Sequence, residues 1–442
     1  MHLLDRQSSR MSTASSYIMT NWRYKSNALV PWCLRLAALL LPLSEGITQG
    51  ALLGALFLSW LAGRLRIGDA KHASLPAYLV TIGLTGWVIM GSVATLINGI
   101  SVRSSNLNKA ILSVGILLGI TLVTSIDLRE YKRLLVCLII GSAVTASLGL
   151  FQTLLGSFPL EHLLINPERG RMGQLYIPGT DYRAMTGTLR NRTKLSEGLI
   201  LVIASLSAAS LLVIQLRDKI KLRIAFVIVL TTLLFTFTKA ATASVIFALM
   251  SLIIIKAKPQ CRKFYFTTLG LVLIIFTIFA AISSHSLTTT DFLPATDMWT
   301  TRRFIWSHAL AIIRDHPIIG VGLGAYSKVS PAYFADPNLN YAFTLNTHSQ
   351  HLTALAETGI IGFCFWITMC LGIGMALQRV WRLPLSGAAQ AARHVATFYL
   401  IAMAPMSLVH DILYHPVTAL LVWACIGIIL ALATTNNRQI ET

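Results

Sequence analysis

The feature that most constrains this chain is the return, along all 442 residues, of apolar stretches about twenty residues long. They run over residues 28–46, 48–63, 75–98, 109–126, 134–155, 195–216, 222–238, 240–256, 264–283, 351–378, 392–409 and 415–434. In hydrocarbon every backbone amide needs an internal partner, so such stretches become helices. The chain therefore reads as an all-α polytopic membrane protein with about twelve transmembrane helices. Charged residues make up 12% of it, about half the share of a soluble domain, too few to wet a soluble surface. The six cysteines lie in or beside apolar runs with no repeated Cys-x-x-Cys, which argues against a disulfide framework or a structural zinc site. The first 27 residues are polar and basic and lack a small-residue cleavage site, so the first apolar run is expected to stay as a helix.

Basic residues in short loops set the orientation. Arg64, Arg66 and Lys71 follow the second stretch, and Arg129, Lys132 and Arg133 follow the fourth. Arg217, Lys219, Lys221 and Arg223 follow the sixth, Lys256, Lys258, Arg262 and Lys263 the eighth, and Arg379, Arg382 and Arg393 the tenth. These loops alternate, so they share one side with the basic N-terminus, and that side is predicted to be cytoplasmic. An even number of spans returns the C-terminus there. One integral membrane domain over 1–442 is expected, with cytoplasmic tails at 1–27 and 435–442. The net charge of +19 then reflects this loop bias and not a nucleic-acid partner.

Two long loops, 156–194 and 284–350, fall on the opposite side, and both are basic against the trend. The first holds Arg183, Arg190, Arg192 and Lys194 just before a span, where Asn191 or Thr193 can cap the helix. In the second, Phe304, Ile305, Ala309, Ile312 and Ile313 recur at helical spacing behind Arg302 and Arg303. This predicts an amphipathic helix on the outer membrane surface, ended by Pro317 and followed by a turn at Gly320, Gly322 and Gly324. Arginines at that face bind an anion bidentately, or simply snorkel to the headgroups. No phosphate loop of the Gly-x-x-x-x-Gly-Lys type and no Gly-x-Gly-x-x-Gly after a strand occurs, which argues against an ATP-driven machine.

The second loop re-enters the membrane through THSQHLTALAETG, residues 347–359. His348, Ser349 and Gly359 form a His-Ser-x9-Gly pattern that resembles the histidine motif of the O-antigen ligase family, relatives of O-antigen polymerases and bacterial protein O-oligosaccharyltransferases. Arg302, Trp306, Pro317, Gly320 and Gly322 are similar to that family's Arg-x-x-x-Trp…Pro-x-x-Gly-x-Gly segment, and RAMTG at 183–187 to its Arg-x-x-Gly element. The stretch RNRT at 190–193 departs from the Asn-Pro-Asn-like sequence of many relatives, leaving open which of Arg183, Arg190 and Arg192 faces a ligand.

The resemblance implies a GT-C-like glycosyltransferase of the bacterial inner membrane, with its active site on the periplasmic side. It implies an undecaprenyl pyrophosphate-linked glycan as donor, a lipid A-core hydroxyl as acceptor, surrounding membrane lipids, and no cofactor. Arg183, Arg190, Arg192, Lys194, Arg302 and Arg303 are the expected pyrophosphate-binding residues, because guanidinium groups stabilise that leaving group without a metal. His348 is the expected base for the acceptor hydroxyl; its alternative is a histidine that caps the helix start. Ser349, His351, Trp306, Glu357 and Gly359 are expected to support it. His348 and His351 are also spaced like a metal pair, but neither outer loop offers an obvious third ligand. Glu357 reads as functional or as structurally paired. His308, His316, His410 and His415 read as interfacial, and Lys239 as an isolated outer cation within reach of donor phosphate.

Overall fold

The computed structural model describes residues 26, 28–63, 74–100, 108–155, 185–189, 191–212, 215–256, 298–333 and 346–434. No strand occurs among them. Eleven of the twelve expected apolar segments coincide with helices, and the remaining one, 264–283, lies outside the described residues, as do residues 1–25, 27 and 435–442 of the expected tails. The helices are α1 (Ala28–Leu40), α2 (Glu45–Leu61), α3 (Leu75–Ile97), α4 (Asn108–Ile111), α5 (Gly115–Ser125), α6 (Leu128–Leu155) and α7 (Arg192–Leu212). There follow α8 (Leu216–Phe235), α9 (Lys239–Lys256), α10 (Met298–Asp315), α11 (Tyr326–Val329), α12 (Gln350–Trp381), α13 (Gly387–Val409) and α14 (Pro416–Thr434). Six of these, α3, α6, α7, α12, α13 and α14, are long and apolar enough to cross a membrane. The chain is thus a multi-pass, all-helical protein, and its described residues fix six such helices instead of the full twelve.

The core is built on close helix approach. α12 lies along α3, and α14 along α5, where a Cβ on Gly119 would meet the Ala424 carbonyl oxygen at 1.9 Å. Small residues at such crossings let backbones touch, which is how helices associate where no hydrophobic gain separates lipid from side chain. α14 is almost wholly enclosed, and α7 nearly so.

Tertiary contacts tie the helix ends into two groups. At one end, Thr188 donates to the Leu43 carbonyl, Lys194 pairs with Glu45, and the Met185 amide donates to Phe235 O at 3.0 Å. At the other, Arg35 pairs with Glu130 at 2.6 Å, the Tyr131 hydroxyl donates to Ser205 O, and Arg393 donates to Leu383 O. The helix that was predicted to begin at 134 begins at Leu128, because Glu130 is held by Arg35 and Arg133 and the charged turn is thereby tolerated.

The amphipathic helix is present as α10. Ile305, Ala309 and Ile312 are buried, in a small apolar cluster with Val321, Ala325, Tyr326 and Ala356. That cluster seats the helix on the start of α12.

α12 is not continuous. At Gly359 the backbone leaves the helical region, with φ 59° and ψ −169°. The break frees the carbonyls of Ala356 and Glu357 and the amides of Ile360 and Ile361. The turn after α10 meets all of them. Val321 N–H donates to Ala356 O at 3.0 Å and Gly322 N–H to Glu357 O at 2.8 Å. Ile360 N–H donates to Pro317 O at 2.8 Å and Ile361 N–H to Ile318 O at 3.3 Å. Residues 317–322 are spliced into the helix's own ladder, the arrangement that lets irregular backbone persist in a span. Two glycines make it possible. Both have positive φ, and a Cβ would lie 2.3 Å from Ile318 O at Gly359, or 2.5 Å from the Thr358 nitrogen at Gly320. Gly359→Ala is predicted to lower stability by about 2–4 kcal/mol through backbone strain and overpacking. Thermal unfolding of the purified protein in detergent measures this; an unchanged midpoint contradicts it.

Candidate active site

His348 lies in the loop that opens α12, half-buried, with a left-handed backbone at φ 52°. A non-glycine residue holds this conformation only where its neighbours impose it. The neighbours are on both sides. The Thr347 hydroxyl donates to Ser349 O at 2.6 Å and accepts from Ser349 N–H at 3.0 Å. Ser349 caps the helix, its side chain accepting from Leu352 N–H. The Trp306 indole of α10 donates to Thr347 O at 3.0 Å, tying the amphipathic helix to the loop. The Gln350 side-chain oxygen accepts from Leu413 N–H, tying the loop to the turn between α13 and α14.

That turn carries His410, Asp411 and His415. The His410 ring stacks against His348, with centroids 6.2 Å apart and planes 24° apart, and His415 lies beyond it at 5.2 Å from His410. Beneath both sits Glu197 of α7, fully buried. Its carboxylate meets His415 Nδ1 at 2.8 Å and accepts a hydrogen bond from Thr418. His410 Nε2 faces the other carboxylate oxygen at 3.2 Å, at ion-pair distance but outside hydrogen-bond geometry. His410 and His415, expected as interfacial residues, are instead members of a buried acid–base cluster, because the α13–α14 turn folds inward over α7.

A second cluster adjoins it. Lys109, from the start of the fourth apolar stretch, reaches both oxygens of Glu357 at 3.1 Å and lies 3.9 Å from Asp411. Asp411 also accepts from Thr353 at 3.3 Å. All three charges are at most 8% exposed. Glu357 is therefore structurally paired, one of the two roles its sequence position allowed.

His351 has a structural place too. Its Nδ1 accepts from the Trp366 indole at 3.1 Å and its Nε2 contacts the Ser407 hydroxyl at 3.0 Å. The ring is thus a neutral Nε2–H tautomer, and the metal pair that spacing alone admits has no nitrogen left on His351.

The expected anion-binding cations divide. Arg302 stands on α10 one turn before Trp306, half-buried, with no acid paired to it among the described residues. Burial holds its guanidinium below the usual arginine pKa, a penalty that a bound anion relieves. Arg192 opens α7 with Nη1 buried and unpartnered. Lys194 is engaged by Glu45. Arg183 and Arg190 lie outside the described residues, as does the Arg303 side chain. Lys239 is exposed at the start of α9, and His308 bonds back to Phe304 O of its own helix.

Sequence reasoning missed Lys109, Glu197 and Asp411. The available signal was a charge at the edge of an apolar stretch, where an ionisable group is seldom idle. Lys109→Ala leaves two buried carboxylates without their cation. It is predicted to destabilise the protein by about 3–5 kcal/mol, with much of the loss recovered in Lys109→Met/Glu357→Leu. Unfolding midpoints of the two variants check this, and a single variant as stable as wild type contradicts it.

Residues 224–367 match the family model described as O-antigen ligase. Among curated proteins, no sequence matches the chain. The matched segment runs from α8 into α12 and contains α10, the glycine turn, His348, Glu357 and Gly359. Over that segment the chain is similar to the O-antigen ligase family.

Proposed function

We propose that this protein is an O-antigen ligase in the strict sense, an inverting, metal-independent glycosyltransferase of the GT-C-like type in the bacterial inner membrane. It moves O-antigen polysaccharide from undecaprenyl pyrophosphate to a lipid A-core hydroxyl, on the periplasmic side, with both termini cytoplasmic. The observation that carries this reading is the placement of His348. It is held in a constrained backbone at the helix end to which α10 is tied through Trp306, within a segment that matches the ligase family.

The chemistry follows from the residues. The acceptor hydroxyl is a weak nucleophile until a base takes its proton as the new bond forms. The His348 imidazole does this, and the new C–O bond forms on the face opposite the departing pyrophosphate. The anomeric carbon–oxygen bond to phosphate breaks, and its electron pair leaves with the pyrophosphate. Arg302 and Arg192, the half-buried guanidiniums without acidic partners, meet that charge bidentately. Arg183, Arg190 and Arg303 belong to the same basic loops and complete the donor site, with Lys194 positioned through Glu45. Inversion follows because, among the described residues, Glu357 and Asp411 are committed to Lys109 and Glu197 to histidines, which leaves none of these three as a covalent nucleophile.

The family match also fits a polymerase that extends glycan on the carrier lipid, so the product decides between them. Glycan on lipid A-core identifies the ligase, and longer carrier-linked chains identify a polymerase. In cells, His348→Ala is predicted to abolish attachment, a loss of at least roughly a hundredfold. It is read as O-antigen-bearing lipopolysaccharide on a gel at matched protein level; undiminished attachment rejects His348 as base. Arg302→Gln is predicted to weaken donor use tenfold to hundredfold, as loss of a contact worth about 1.5–3 kcal/mol, with acceptor dependence unchanged. Equal loss toward both substrates in a two-substrate titration contradicts pyrophosphate binding there.

A further inference from the structure

The mechanism leaves a buried acid unused. Glu197 belongs to a span that holds no other acid, is enclosed on all sides, and is matched by two histidines from a different part of the chain. A carboxylate placed there for stability alone needs a partner for each oxygen. Only one oxygen is satisfied, by His415 and Thr418. The other, Oε1, and His410 Nε2 are both buried, face each other at 3.2 Å, and lack a hydrogen bond. This is a gap into which a proton fits. His410 is also the ring stacked beside His348.

From this juxtaposition we infer that Glu197 and His410 form a proton-holding pair behind the base, with Glu197 as a positioning residue that acts through His410. The inference rests on His348 being the base. The proton that His348 removes from the acceptor hydroxyl passes through one bridging water to His410. His348 returns to its neutral form, and the new His410 imidazolium is balanced by the Glu197 carboxylate. The proton then leaves to solvent by way of His415, which lines a cleft with Lys194 and Glu45 at the outer helix ends. No further reactant is needed. The charged and titratable groups around the pair are His348 in the α12 loop, Asp411 and His415 in the turn, and Tyr399 of α13. Of these, Asp411 is held by Lys109 and Thr353.

The alternative use of Glu197, His410 and His415 is as ligands to a metal ion, since their donor atoms lie within 4.8 Å of one another. The hydrogen bonds already made to the carboxylate favour the proton.

The test is the pH–rate profile of glycan transfer by purified full-length Glu197→Gln, Glu197→Asp and His410→Gln, with folding followed by thermal unfolding. Glu197→Gln keeps the shape and removes the negative charge. It is predicted to lower the rate roughly tenfold to hundredfold, within the range that positioned proton transfer contributes. Without the carboxylate the imidazolium is less favoured, so the acid limb of the profile moves to lower pH by about one unit. Glu197→Asp restores the wild-type limb, and His410→Gln reproduces the rate loss should Glu197→Gln fail to fold. A wild-type profile in folded Glu197→Gln or His410→Gln overturns the inference. So does about one equivalent of divalent metal per wild-type chain, measured by elemental analysis, that is lost in Glu197→Gln. Activity retained in His348→Ala overturns the reading beneath it; inactive His348→Ala beside an unaffected Glu197→Gln overturns this inference alone.

Discussion

The His348 end of this protein depends on the four backbone hydrogen bonds exchanged across the break at Gly359. Unbroken, α12 would carry its own ladder through residues 356–361 and leave the turn after α10 with nothing to bind. Broken, it offers two carbonyls and two amides, each costing about 1–3 kcal/mol if buried unpaired. The turn supplies partners for all four, so helix and turn form together. Through that joint α10 is seated, Trp306 reaches Thr347, and His348 is held in a conformation it would not choose alone.

Around this frame the buried charges follow a simple rule. An ion taken out of water costs several kcal/mol unless another ion and further hydrogen bonds compensate. Lys109 answers Glu357 and Asp411, and the histidines answer Glu197. The acids of the site are thereby committed within the protein. Arg302 and Arg192 are the reverse case, guanidiniums half withdrawn from water with no acid to meet them among the described residues. Guanidiniums of this kind favour an anionic ligand over a cationic one, which suits the proposed pyrophosphate-linked donor.

What was legible in the sequence was whatever periodicity and local motif encode. The apolar stretches became helices nearly everywhere they are described, and α10 stands where Ile305, Ala309 and Ile312 repeat. The Pro-x-x-Gly-x-Gly and His-Ser-x9-Gly patterns were visible as motifs, but their physical meaning was not. Gly320 and Gly359 are glycines because two distant backbones exchange hydrogen bonds there. The charge clusters were hidden for the same reason. Lys109 and Glu357 are 248 residues apart, and Glu197 and His415 are 218 apart. No local pattern marks such pairs. His410 and His415 looked interfacial because their stretch is short and lies between two spans, and only the inward fold of that turn shows otherwise.

The central claim is that this helix end transfers glycan from a pyrophosphate-linked lipid to lipid A-core. It is tested most directly by giving the purified protein both substrates in detergent, without any other enzyme, and identifying the product by mass. The expected product is glycan joined to lipid A-core with inverted anomeric configuration, with free undecaprenyl pyrophosphate released alongside. Longer glycan still attached to the carrier, or no transfer by folded protein, contradicts it.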